Sequence, residues 1–331
     1  MTAILTRSFT FLYYFCAILF GLWSIPAVYF LKIFSQHSFN LALAITYGVL
    51  LLLLQSIPTH KKIYRTFTLL LFAVVFLRWN QMTPAQDKNW ADGVSRLPWV
   101  TIDNNKVHIH NIRDFIYQSE TDYKIQYIDK TYDLEQLNQL DYVLSYWDGN
   151  KAIAHSIFSF GFENGDRLAI STEVRNQKGE EYGGFTGLYH QFELIYVLAT
   201  ERDILQLRTN FRGEDVYSYP MNTSKQEIRY LFNIVIDRVN TLHNTPKFYN
   251  TVTQNCFTSL MTDFRKAGGK HHPFDYRLYA NGFSDEMFYQ NGKIKSNLPF
   301  AETKQRAYIN QYIQPNIYNA NYSQQIRPYK N

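Results

Sequence analysis

The sequence predicts an α+β protein with N-terminal transmembrane helices followed by a soluble domain of antiparallel strands and packed helices. Three observations predict it. Residues 8–31 and 38–57 carry no charge and are long enough to cross the hydrocarbon core of a bilayer. Beyond residue 100 the chain turns to short runs of alternating polarity, as in Val107-His108-Ile109-His110. Ser224–Leu242 then shows a helical stripe of Ile228, Leu231, Phe232, Val235 and Val239 behind a Ser224-x-x-Glu227 capping box.

Composition narrows the function classes. A net charge of +5 with no long basic run or stripe argues against a nucleic-acid partner and suits a flank near anionic lipid. Aromatic residues make up 17% of the chain and lie mostly beyond residue 100, which favours a strand-rich core there. Of the two cysteines, Cys16 lies in an apolar run and Cys256 in the soluble part, so a disulfide between them is not expected.

The expected domains are a membrane anchor at 1–80, a polar linker at 81–98 broken by Pro84 and Pro98, and a periplasmic Cys–His domain at 99–331. The third apolar stretch, Thr66–Leu77, is short, and spans only if Tyr64, Arg65, Arg78 and Trp79 sit at the interfaces. Arg7 and the cluster His60, Lys61, Lys62 and Arg65 assign the N-terminus and the 58–65 loop to the cytoplasm. Three spans then place the soluble domain outside a bacterial inner membrane, whereas two would leave it cytoplasmic. Trp79, Trp90 and Trp99 are expected at or near the interface.

In the soluble part, Tyr123–Ile128, Tyr142–Trp147, Gln191–Thr200 and Ile204–Leu207 read as strands, with Asp133–Leu137 as a link. His155–Phe162 and Arg167–Arg175 read as a hairpin joined through Asn164-Gly165, a pair suited to positive φ. On its first strand His155, Ile157 and Ser159 share one face; on the second, Ser171, Glu173 and Arg175 do. Residues 176–189 form a polar loop, expected at a site rim. Asn255–Ala267 reads as a second helix ended by Gly268-Gly269, and the remainder as loops and short elements. His108 and His110 lack a third nearby ligand, and His271 and His272 precede Pro273 in a loop; both pairs read as solvated rather than metal-binding.

Cys256 is the candidate nucleophile. It starts a helix behind a capping Asn255, and unpaired N–H groups with the positive end of the helix dipole favour a thiolate there. First-turn N–H groups also suit an oxyanion. His155 is the candidate proton carrier and Glu173 the group that orients it, with Glu201 and Asp203 as alternatives. Asn255, Tyr182 and Arg175 are candidates for substrate or oxyanion contacts. The competing readings are a small buried cysteine, a satisfied strand histidine and a Glu173–Arg175 surface pair.

Several stretches together resemble the Lnb N-terminal periplasmic domain family: Asn111-Ile112-Arg113-Asp114-Phe115 with Tyr117, Ala154-His155-Ser156 leading to Phe160-Gly161-Phe162, Ser171-Thr172-Glu173-Val174-Arg175, Tyr196 with Glu201-Arg202-Asp203, and Asn255-Cys256. The resemblance covers roughly residues 90–290. It implies a papain-like (NlpC-type) thiol fold in permuted order, histidine before cysteine, and acyl transfer to the amino terminus of lipoproteins. The family's usual Asn-Cys-Thr-Thr is Asn255-Cys256-Phe257-Thr258 here, so Phe257 replaces a hydroxyl residue. The expected function is a membrane-anchored thiol acyltransferase with a phospholipid donor and a lipoprotein acceptor, and without metal or organic cofactor. A cysteine hydrolase of lipid esters or cell-wall peptides and a non-enzymatic tethered binding domain are the alternatives.

Overall fold

A computed structural model describes residues 2–57, 59–268 and 275–328, with side chains described from residue 8 onward. Gly269, His271, His272 and Pro273 lie outside the described residues. The chain divides into two units.

The first unit comprises the chain up to Pro84 together with Phe185–Gln191. Three helices, α1 (Thr2–Phe30), α2 (His37–Ser56) and α3 (Lys61–Asn80), are each long and apolar enough to cross a membrane. The third is a full 20 residues, because its polar ends extend the apolar run at Thr66–Leu77. Inside the bundle, Gln55 Nε2 donates to Tyr13 Oη and Thr68 Oγ1, both at 2.9 Å. Such bonds hold spanning helices together where hydrophobic attraction between them is absent. Trp79 is the penultimate residue of α3. It is buried, with its ring 5.6 Å from Tyr189 and 4.5 Å from His190.

The second unit comprises Ala85–Gly184 and Phe192–Asn331. Its strands are β1 (Trp99–Asp103), β2 (Lys106–Arg113), β3 (Ile116–Tyr117), β4 (Tyr123–Lys124), β5 (Tyr127–Asp133), β6 (Leu137–Tyr146), β7 (His155–Phe162), β8 (Arg167–Arg175), β9 (Glu193–Ala199) and β10 (Asp215–Pro220). The main sheet runs β1-β2-β9-β8-β7-β6-β10, with β5 also on β2. Every pairing is antiparallel except β2 with β9.

Helices cover both faces of the sheet. Phe158, Phe160 and Phe162 pack with α5 (Lys225–Asn244) and α6 (Cys256–Lys266), whereas Ile157 packs with α4 (Glu201–Gln206) and C-terminal residues such as Tyr322. Alternation along β7 therefore feeds two cores, which explains why a strand with so few polar residues is stable. Short helices α7 (Ser284–Gln290), α8 (Phe300–Ala307) and α9 (Tyr322–Gln325) complete the unit.

The hairpin and the capped helices form as expected from the sequence, and both α5 and α6 begin with a complete capping box. Ile204–Leu207 is not a strand. Thr200 Oγ1 accepts the Asp203 N–H and starts a helix, which runs on into a π-helical turn at Leu207–Phe211. Strand β6 starts five residues before the expected Tyr142. Residues 85–98, expected as linker, are folded against the sheet: Lys88 pairs with Glu193 at 2.7 Å, and Trp90 is buried, bridging to Gln177.

Candidate functional site

Cys256 is the first residue of α6, and Asn255 caps it. The Asn255 side-chain oxygen accepts the Phe257 and Thr258 N–H groups at 2.9 and 2.8 Å, and the Thr258 hydroxyl accepts the Asn255 N–H at 3.0 Å. Thr258 thus uses its hydroxyl in the cap, while Phe257, in the place of a hydroxyl residue, is buried in the core. Asn255 Nδ2 donates to Thr251 O at 2.7 Å. The Asn255 oxygen thus caps the helix, and its amide N–H is held by Thr251.

The helix delivers the thiol to the start of β7. Cys256 Sγ donates to Ala154 O at 4.0 Å, with His155 and the Ser156 N–H as its electrostatic neighbours. Burial pushes the thiol up, but the charge and hydrogen bond of His155, with the Ser156 and Phe257 N–H groups, outweigh it and hold the thiol below its ordinary range. The effect on His155 is reciprocal. Burial alone would lower the imidazole, yet Cys256 and then Glu173 raise it from 6.5 to about 9. The two shifts describe one coupled pair that favours thiolate and imidazolium together.

Glu173 comes from β8. Extending the register that pairs Ile157 with Ser171 by two residues brings Glu173 opposite His155, and its Oε1 lies 3.6 Å from His155 Nε2. Both side chains are nearly buried, at 17% and 18% exposure. Burial raises the carboxyl, but His155, Arg208 and Arg113 hold it well below the usual range.

Two neighbours escaped sequence reasoning. Ser171 Oγ, two residues before Glu173 on the same face, is closer still to His155 Nε2, at 2.6 Å. Arg208, on the π-helical turn, reaches Glu173 at 3.4 Å and Glu214 at 3.7 Å. The alternation in β8 pointed to Ser171; nothing in the sequence pointed to Arg208, since its segment reads as a strand end.

The other candidates separate. Arg175, on the face of Glu173, turns away: its guanidinium donates to Val94 O and Ser95 O, both at 3.0 Å, and lies over the Trp90 ring. It secures residues 86–95 and does not join the dyad. Glu201 is bound by Arg327 and Ser159, and Asp203 by Arg113, so neither orients His155. Tyr182 is 47% exposed, its hydroxyl 3.3 Å from Thr251 Oγ1 and its ring edge-on to Tyr249. Burial, and then the Cys256 charge, push the Tyr249 phenol far up, which keeps it a neutral neighbour of the thiol. His108 and His110 pair with Thr131 and Asp129, and Trp99 stacks on His110 at 3.7 Å.

No curated protein and no solved structure matches the chain. One family model matches part of it, and the matched segment holds the residues of the dyad region just described, from His155 through Ser171 and Glu173 to Cys256, while the Asn111–Tyr117 stretch falls before it. Together with three helices able to span a bilayer, the match fits a membrane-anchored protein with a periplasmic soluble domain. Residues 123–282 resemble the Lnb N-terminal periplasmic domain family.

Proposed function

We propose that this domain is a thiol acyltransferase that takes an acyl chain from a membrane phospholipid and passes it to the N-terminal amine of a lipoprotein. The carrying observation is the coupled pair: Cys256 held toward thiolate beside an imidazole raised to about 9 and backed by Glu173. The three apolar helices support substrates held at a bilayer surface, where tethering raises effective concentration. The family resemblance supports the acyl acceptor.

In the first half-reaction Cys256 Sγ attacks the ester carbonyl carbon, forming the carbon–sulfur bond. The oxyanion is stabilised by the N–H groups of Cys256 and Ser156, since the Asn255 cap already takes those of Phe257 and Thr258. The intermediate collapses, the ester C–O bond breaks, and imidazolium His155 gives its proton to the departing lysophospholipid oxygen. With Nε2 beside Ser171 and Glu173, the other ring nitrogen is left for this transfer. In the second half the amine attacks the thioester, His155 takes its proton, and Cys256 leaves as thiolate.

Intact mass of the detergent-solubilised protein after incubation with phospholipid tests this. An acyl-sized adduct, released by hydroxylamine and absent from Cys256→Ser and His155→Ala, is expected. A lipopeptide amine should then discharge it to an N-acyl product; discharge to free fatty acid alone would indicate a hydrolase. No adduct, with Cys256 inert to thiol reagents in the folded protein, would overturn covalent catalysis.

A further inference from the structure

The segment at residues 275–283 returns to the dyad from a distance in sequence. Gly282 lies so close to the turn preceding β7 that a Cβ on it would sit 2.1 Å from Lys151 O and 2.8 Å from the Ala152 carbonyl carbon. Its N–H donates to Ala152 O at 3.0 Å, and its own carbonyl accepts the Tyr146 hydroxyl at 2.5 Å. Only glycine permits that approach. The approach seats the neighbouring Asn281 side chain, 7% exposed, on the backbone of Ala154. Asn281 Oδ1 accepts the Ala154 N–H at 3.2 Å, and Nδ2 donates to Ala154 O at 2.5 Å and reaches Ser156 Oγ at 3.4 Å.

Ala154 O is the carbonyl that faces the Cys256 sulfur at 4.0 Å. The thiol donates weakly to that carbonyl, which also accepts the Asn281 amide on its second lone pair, and the carbonyl's negative end opposes a thiolate. We infer that Asn281 is a positioning residue: by donating to Ala154 O it weakens the acceptor that competes with His155 for the thiol proton, and by gripping both polar atoms of Ala154 it fixes where His155 and the Ser156 N–H begin. The inference rests on Cys256 acting as the nucleophile. It assigns a role to a residue with no ionisable group and about 25 positions beyond the cysteine, on no strand or helix that carries the dyad.

The test uses the full chain in detergent on a Cys16→Ser background, with the pH dependence of iodoacetamide alkylation of Cys256 as readout. Asn281→Ala is expected to raise the alkylation midpoint by about one unit, which slows alkylation about tenfold below the midpoint. The limiting rate at high pH, where the thiolate is already formed, should stay unchanged. Asn281→Asp keeps an acceptor for the Ala154 N–H but loses the donor, and is expected to shift in the same direction; it also carries the test if the alanine variant does not fold. Unshifted midpoints in both variants would overturn the inference. So would a fall in the high-pH rate accompanied by loss of the thermal transition, which marks a role in folding alone. A wild-type protein that forms an acyl adduct alongside unshifted variants defeats only this inference, whereas a wild type without adduct defeats the proposed function itself.

Discussion

Replacing Glu173 by glutamine removes its charge while keeping its shape and one accepting oxygen. The carboxylate lies 3.6 Å from His155 Nε2 and 3.4 Å from Arg208. At an effective permittivity of about 20, two unit charges at that separation attract by about 5 kcal/mol. The whole elevation of His155, from 6.5 to about 9, corresponds to about 3 kcal/mol net of burial. Loss of the carboxylate also leaves the Arg208 guanidinium without its counter-charge near the imidazole, and Arg208 already acts to lower His155. The His155 midpoint should therefore fall by about one to two units.

Less imidazolium at neutral pH means less support for the thiolate, so the window in which both charged forms coexist narrows from both ends. The pH profile of Cys256 alkylation, again without Cys16, reads the lower limb, and the pH profile of acyl-enzyme formation, which needs imidazolium as the acid, reads the upper. Glu173→Gln should move the lower limb up and the upper limb down, and acyl-enzyme formation at neutral pH should drop about tenfold. A profile superimposable on the wild type would refute the reasoning. It would mean that Cys256 alone sets the imidazole and that Glu173 serves only to neutralise Arg208.

Two further outcomes follow from buried charges away from the dyad. Arg327 donates to Asp141 at 2.7 Å and to Glu201 at 2.6 Å in a buried cluster, so Arg327→Met leaves Asp141 to Arg167 alone and Glu201 to the Ser159 hydroxyl and should cost about 3 kcal/mol, read as a lowered thermal transition, with the alkylation profile unaltered; an unchanged transition would show the cluster contributes nothing. Asp263, on the cysteine helix, is pushed by burial up to about 6 despite Arg238 and Tyr196. Its folded value lies above the ordinary 3.8, so the associated stability is fully present below that value and is lost as pH rises through about 6. Denaturant titrations across that window should show the decline, and Asp263→Asn should flatten it; equal slopes in both proteins would contradict the assignment.

Much of the site was legible because it depends on local rules. Asn255 ahead of Cys256 announces a helix start, and that geometry is decided within four residues. The Asn164-Gly165 turn sets the register of a hairpin, and that register alone carries Glu173 opposite His155. The apolar runs near the N-terminus define spans by length, and even the short third one reaches 20 residues once its polar ends are included.

Tertiary structure decided what alternation leaves open. Glu173 and Arg175 share a face of β8, yet one turns to His155 and the other to the carbonyls of Val94 and Ser95, because residues 86–95 fold back over that end of the strand. Ser171 sits closer to the imidazole than the carboxylate does, a diagonal contact set by strand twist rather than by spacing. Arg208 and Asn281 reach the site from a π-helical turn and from a close glycine approach. Neither leaves a periodic mark in the sequence. Helix caps and hairpin turns are determined by neighbours along the chain, so the sequence by itself determined the spans, the hairpin and the start of the cysteine helix. The partners of a buried charge are chosen by whichever distant segment packs there, and only the folded chain brings that segment into place.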